Sequence, residues 1–218
     1  MKIVVLVSLV VVLEGYDVKD FVALDRCDKI IDKEVFEICY SNKRKGALAV
    51  WYELKGELVS KRNIKKRPKF YTEKNIKSKY RAKPKDYKKT GFDRGHLASD
   101  ASFDYDEKKQ RKAYSMANVV PQYPRVNRVK WLKVERYERL VAVKMKKVKV
   151  VNIVDYSEDK GTIGKNKISI PTAFIKILFN DDEKYIKCFR YENNKEKEIK
   201  KDKLKNHEIG CEEIIIKT

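Results

Sequence analysis

The sequence predicts an α+β fold: a central, mainly antiparallel sheet flanked by helices. Strand-like apolar runs recur at Leu48–Leu54, Val148–Val154 and Ile168–Phe179, and a helical spacing runs from Asn127 to about Lys144. At 218 residues, 42% hydrophobic and 11% aromatic, the chain suits one domain with a sizeable core rather than a disordered basic tail. No internal repeat, Gly-rich phosphate loop or inter-domain linker interrupts it.

Met1-Lys2 and the apolar run Ile3–Leu13 have the charged start and short apolar stretch of a secretory signal, too short to span a bilayer as a helix. The region after it is a poor cleavage site, because Leu13-Glu14-Gly15 lacks the expected small residue; a buried Val-rich strand is the other reading. The expectation is a signal peptide over residues 1–15 and a single domain over residues 16–218.

Between Asp17 and Asn42 the pattern is mixed. Leu48–Leu54 is a buried strand, and Lys55-Gly56-Glu57 is the turn after it. Ser60–Arg67 is a basic loop ended by Pro68. Tyr105–Ala113 is polar and helix-favouring, with Asp104 as its N-cap. Asn118–Arg125 is too proline-rich for a helix. In the helix that follows, Val126, Val129, Leu132, Leu140 and Val143 share a face. Val148–Val154 is a core strand and Ile168–Phe179 more sheet. Asn193–Lys205 is a charge run, read as a solvated loop or helix face, and Ile214–Ile216 is a last strand.

With 52 Lys and Arg against 32 Asp and Glu, the net charge is +20. That implies a polyanionic partner, either nucleic acid or an anionic membrane surface. A codon-biased genome painting solvated faces basic would give the same charge, so motifs must decide. The four cysteines, Cys27, Cys39, Cys188 and Cys211, form no Cys-x-x-Cys pair, and only His207 lies near one, which argues against structural zinc. An even count fits disulfides in an exported protein. Short-loop closure favours Cys27–Cys39 with Cys188–Cys211; four buried free thiols are the alternative.

The chemistry concentrates between Asp93 and Glu135. His96 is one of two histidines in a chain that needs no imidazole for charge, and its neutral form can accept a proton near pH 7. Around it, in order, stand Asp93-Arg94-Gly95-His96-Leu97-Ala98, Asn118-x-x-Pro121-Gln122 and Asn127-x-x-x-Trp131-x-x-x-Glu135. Together these resemble the DNA/RNA non-specific endonuclease family, the ββα-metal group that includes the endonuclease G type. A weaker resemblance extends from about Lys45 to about Asn180. It implies a ββα metal finger carrying His96 and Asn127 within a single nuclease domain. It also implies a Mg²⁺-dependent endonuclease, with Mn²⁺ as the other candidate ion, that acts on DNA and RNA and leaves 5′-phosphate ends.

Phosphodiester hydrolysis must deprotonate a water, stabilise charge on the phosphate oxygens and relieve charge on the leaving 3′-oxygen. His96 fits the first demand as general base. Arg94 and Arg67 fit the second, because guanidinium can grip two phosphate oxygens and keeps its charge; Arg94 could instead hold the loop by pairing locally. In the family an arginine precedes an aromatic and an acid, and Arg67, before Phe70-Tyr71-Thr72-Glu73, suits that place, with Arg62 as the alternative. Asn127 fits the third as the metal ligand. A straight helix would separate its Cα from that of Glu135 by about 12 Å, so Glu135 is read as accepting from metal-bound water. Asn118 fixes the loop around His96 rather than touching substrate, and Trp131 packs in the core.

Three departures from the family pattern matter. Ser99 stands where proline is common and should loosen the loop. Val129-Lys130 replaces small residues before Trp131. Val154-Asp155-Tyr156 replaces a Thr-Gly-type turn. The expected setting is the periplasm or beyond, with no membrane insertion after signal removal. The competing readings are a catalytically silent basic nucleic-acid-binding protein of the same fold and a membrane-surface protein, which leaves the central motif unexplained.

Overall fold

A computed structural model of the protein describes residues 15–61, 64–195 and 202–214. The first strands are β1 (Lys29–Asp32), β2 (Glu37–Ser41) and β3 (Gly46–Lys55), followed by the short helix α1 (Gly56–Val59). Next come β4 (Asp93–His96), α2 (Glu107–Ala113) and β5 (Val119–Gln122). A π-helical turn over Val126–Trp131 leads into α3 (Leu132–Lys144). The rest is β6 (Lys147–Asp155), β7 (Thr162–Ile163), β8 (Ile168–Ser169), β9 (Ala173–Asn180), β10 (Tyr185–Glu192) and β11 (Glu208–Ile209). Seven strands form one antiparallel sheet in the order β1-β2-β3-β6-β9-β10-β11. The strands β4 and β5 form a separate antiparallel pair, and the helix after them completes a ββα unit.

Side-chain alternation explains why both faces of the sheet are covered. On β3, Val50, Tyr52 and Leu54 enter a large core with Leu97, Val120, Trp131 and Val134. Ala49 and Trp51 point the other way, into a smaller core with Phe21, Ile177 and Phe179. On β9, Phe174 and Leu178 join the first core and Ile177 and Phe179 the second. Lys176, between them, follows the same period onto the helix side.

The second core is roofed by the end segments, and each is fastened by a disulfide: Cys27–Cys39 and Cys188–Cys211. These are the expected pairings, and they fit an oxidising compartment. Among the described residues no helix is long and apolar enough to cross a membrane.

Several local expectations are corrected. Gly56 opens α1 instead of sitting in a turn; a Cβ there would lie 2.5 Å from Ala142 O, so only glycine lets α1 approach α3 this closely. The cap of α2 is Asp106, not Asp104: Asp106 is extended and accepts from Lys109 N at 3.0 Å, whereas Asp104 is buried. The expected apolar face of α3 is largely outside, with Val129, Leu140 and Val143 42%, 66% and 52% exposed. The π-turn shifts the helical phase, so Trp131, Val134, Glu138, Val141 and Ala142 face inward. Asn193, placed in a solvated run, is fully buried. Ile214 follows a 3-10 turn rather than starting a strand; residues 215–216, the expected signal peptide apart from Gly15, and Arg62 lie outside the described residues.

Candidate active site

The pairing of β4 with β5 sets Asp93 opposite Gln122 and His96 opposite Val119. The chain then leaves β4 and returns through Asn118. Asn118 Oδ1 accepts from Ala98 N at 2.9 Å, and its Nδ2 donates to Ala98 O and Ala113 O at 2.9 and 2.8 Å. Fully enclosed, Asn118 fixes the backbone behind His96 and cannot reach a polymer. From the far side Asn193 clamps β5: its Nδ2 donates to Pro121 O and Pro171 O, each at 3.0 Å, and its Oδ1 accepts from Tyr123 N.

Gly95 is required here by contact. A Cβ would stand 2.2 Å from Gln122 Cδ, and Gln122 is wholly buried. Gly95→Ala should therefore destabilise the protein by about 1–3 kcal/mol, the usual cost of overpacking. Thermal unfolding checks this; an unchanged midpoint would mean that Gln122 has room to move.

Arg94 and His96 alternate with Asp93 and Gly95 along β4. The His96 ring stacks on Phe70 at 5.2 Å and meets the edge of Tyr114 at 4.9 Å. Phe70 is carried by a segment bridged to Ser115 through Tyr71, whose N donates to Tyr114 O. Arg94 lies over the Phe70 ring at 5.2 Å and donates from Nη2 to Pro84 O at 3.1 Å, so it pairs locally. Arg67 is at the rim, its side chain 80% exposed and 3.9 Å from Asp100. Burial, and then the charge of Arg67, lower the His96 pKa to about 4. His96 is thus neutral across the physiological range. Its Nε2 is shut from solvent and has no partner among the described residues; Arg94 Nε, Asp100 Oδ1 and the Gln122 amide, on β4, the loop after it and its pairing strand, share that condition.

Asp93 organises the other half of the site. Its Oδ2 accepts from Asn127 Nδ2 at 3.0 Å, and both oxygens accept from Arg128 at 2.7 Å. Burial opposes the Asp93 carboxylate, but the hydrogen bonds from Arg128 and Asn127 hold its pKa below the ordinary range. A carboxylate cannot donate, so it fixes which way the Asn127 amide faces and leaves Oδ1 for another partner. Among the described residues no three His, Cys, Asp or Glu side chains converge as a metal cage. One amide oxygen suits Mg²⁺, which prefers oxygen ligands and keeps several waters. Burial pushes Glu135 up to about 8; Lys176 opposes this and Glu138 adds to it. Among the described residues, no hydrogen bond or ion pair joins His96 to Asn127 or Glu135; β4 connects the two halves.

Ser99 does not loosen the loop. It is buried, its Oγ lies 2.8 Å from Ser102 Oγ, and it accepts from Arg139 at 3.3 Å. Asp155 steadies the altered turn by accepting from Ser157 N and pairing with Arg190, each at 2.7 Å. Trp131 is fully buried against Phe174 and Tyr191. Sequence reasoning missed Tyr114, Asp100, Asn193, Glu138 and Lys176. The one available signal was a lysine inside the apolar run Ala173–Phe179.

Residues 19–215 match the family described as DNA/RNA non-specific endonuclease. The mitochondrial endonuclease G of Homo sapiens is 30% identical over 156 residues, 67% of this chain and 52% of that protein. The mitochondrial nuclease of Saccharomyces cerevisiae is 27% identical over 161 residues, 67% of this chain and 49% of that one. A nuclease of Nostoc sp. is 26% identical over 150 residues, 67% of this chain and 52% of that one. The chain thus spans about half the length of these relatives. A crystal structure of the EndoG/EndoGI complex, concerned with EndoG inhibition, aligns with a TM-score of 0.77 at 20% identity, covering 85% of this chain and 81% of that one.

Proposed function

The chain belongs to the DNA/RNA non-specific endonuclease family, and from that membership we propose that it is a metal-dependent endonuclease hydrolysing the phosphodiester bonds of DNA and RNA. The observation that carries this reading is His96: a histidine held neutral by burial, with Arg94 and Arg67 close by, in a chain of net charge +20. A silent binding protein would need the cations but not the base.

Each group then has a task. His96 takes a proton from water at Nδ1, because Nε2 is enclosed. Arg94, aimed by Phe70 and Pro84, and the rim residue Arg67 stabilise charge on the phosphate oxygens. Asn127 Oδ1 is the atom that would hold Mg²⁺ or Mn²⁺, and the bound ion would supply charge relief at the leaving 3′-oxygen. Glu135, whose pKa burial raises to about 8, would order water as a carboxylate where positive charge is nearby. The two disulfides support an oxidising setting, and the periplasm or the space outside the cell is the setting proposed for this work.

No step uses the ribose 2′-hydroxyl, and the contacts are directed at phosphate. Purified protein should nick plasmid with Mg²⁺ and not with chelator. It should cut single-stranded DNA, duplex DNA and RNA within roughly tenfold of one another. Affinity should fall by orders of magnitude between about 50 and 200 mM salt if many phosphates are contacted. Cleavage of RNA alone, giving 2′,3′-cyclic ends, would refute the mechanism.

A further inference from the structure

Beneath the site lies a buried polar chain. Glu138, on the inward face of α3, is fully enclosed and accepts from Ser102 Oγ at 2.8 Å and from Tyr52 Oη at 3.0 Å. Lys176, also fully enclosed, donates to its other oxygen and sits 4.8 Å from the Trp131 ring centroid. Ser102 has one hydroxyl proton, and Glu138 takes it. In the 2.8 Å contact between the two serines, Ser99 must therefore be the donor. Ser99 in turn accepts from Arg139. The polarity runs one way, from Arg139 through Ser99 and Ser102 to Glu138, with Lys176 and Tyr52 closing it from the sheet.

Ser99 and Ser102 lie just after the strand bearing His96. Glu138 and Arg139 lie on the helix bearing Glu135 and following Asn127. Lys176 and Tyr52 lie on β9 and β3. Apolar packing between these elements is non-directional and would tolerate some rotation of α3. A charged hydrogen-bonded chain permits one register. We propose that the Lys176–Glu138 pair and its serine link are positioning residues that set the rotation of the metal-bearing helix against the loop bearing the general base. The proposal rests on the nuclease reading for its kinetic consequence, though not for its geometry.

Ser102→Ala cuts the link from the loop to Glu138 while leaving the buried ion pair and the Arg139–Ser99 bond intact. A second variant removes the chain altogether with apolar groups of similar size: Tyr52→Phe, Ser99→Ala, Ser102→Ala, Glu138→Leu and Lys176→Met. Such replacements often keep or raise stability, so a folded protein without the network is attainable. The measurements are kcat and KM on DNA, the thermal midpoint, and NMR of the His96 ring and the Asn127 side-chain amide in metal-free protein. The expected result is a kcat lower by about tenfold to a hundredfold, as for a misplaced catalytic group. KM should stay within about twofold, and both NMR signals should move, at temperatures where the variant is folded. A purely structural role predicts unchanged kcat and unmoved signals once the fold is retained. Either a kcat within about twofold of the parent or stationary signals overturns the proposal. If the apolar variant does not fold, Ser102→Ala alone decides. If the parent cleaves nothing, the nuclease reading has failed, and the two NMR signals judge the positioning by themselves.

Discussion

His96→Ala is expected to cut the rate of DNA cleavage by at least about 10²-fold, the low end of what a positioned general base contributes. DNA affinity should barely change, because it comes from phosphate contacts with Lys and Arg that the substitution leaves in place. The side chain also fills space between Phe70 and Tyr114, so the variant needs a check that it is folded. Acid sensitivity gives a second readout. The His96 pKa is lowered to about 4, below the ordinary imidazole value of about 6.5. The base is therefore already neutral at pH 5, and cleavage should persist well below the point where an ordinary histidine would be lost. The stability sign runs the same way: the unfolded chain binds this proton first, so the contribution is complete above about 6.5 and is lost as pH falls through about 4. His96→Ala should flatten that part of the stability profile. A variant that cleaves at near-parent rate would remove His96 from the mechanism.

Asn127→Ala should abolish cleavage and the response to Mg²⁺ together. A metal that relieves charge on a leaving oxygen supplies several kcal/mol, so a fall of about 10²-fold or more is expected. Asn127→Asp is no conservative repair. It would set a carboxylate against Asp93, 3.0 Å from the present amide nitrogen, and delete the donor that Asp93 uses. Glu135→Ala should cost less, about 10- to 100-fold, since a residue acting through water can be partly replaced by another water. Metal titrations of cleavage by the three variants make the comparison. Metal dependence surviving in Asn127→Ala but lost in Glu135→Ala would reverse the two roles.

The sheet was legible in the sequence because the apolar runs Leu48–Leu54 and Val148–Val154 are a local property. So were the disulfide pairings, since each closes a short loop, of 12 and 23 residues' separation. The His96 and Asn127 motifs could be located, but not how Asp93 turns the Asn127 amide or how Phe70 spaces Arg94 from His96. Those are contacts between segments distant in sequence. The inward face of α3 was misassigned for a backbone reason: an ideal helical period run from Val126 ignores the π-turn, and Leu140 and Val143 then fall on the wrong side. Glu138 was invisible for a third reason. It looks like a solvated charge until Lys176 is placed beside it, and Asn193 was hidden by the charged residues after it.

The sheet also separates two kinds of chemistry. The disulfides fasten end segments over the face carrying Phe21, Ile177 and Phe179, and the proposed catalytic groups lie beyond the opposite face. All four cysteines belong to the core on that face, apart from the core that holds Leu97 and Trp131. A reductant would thus strip about 2–5 kcal/mol per bond from the fold while leaving the reacting groups as they stand. Redox conditions should govern how long each molecule survives, and not how fast a surviving one turns over.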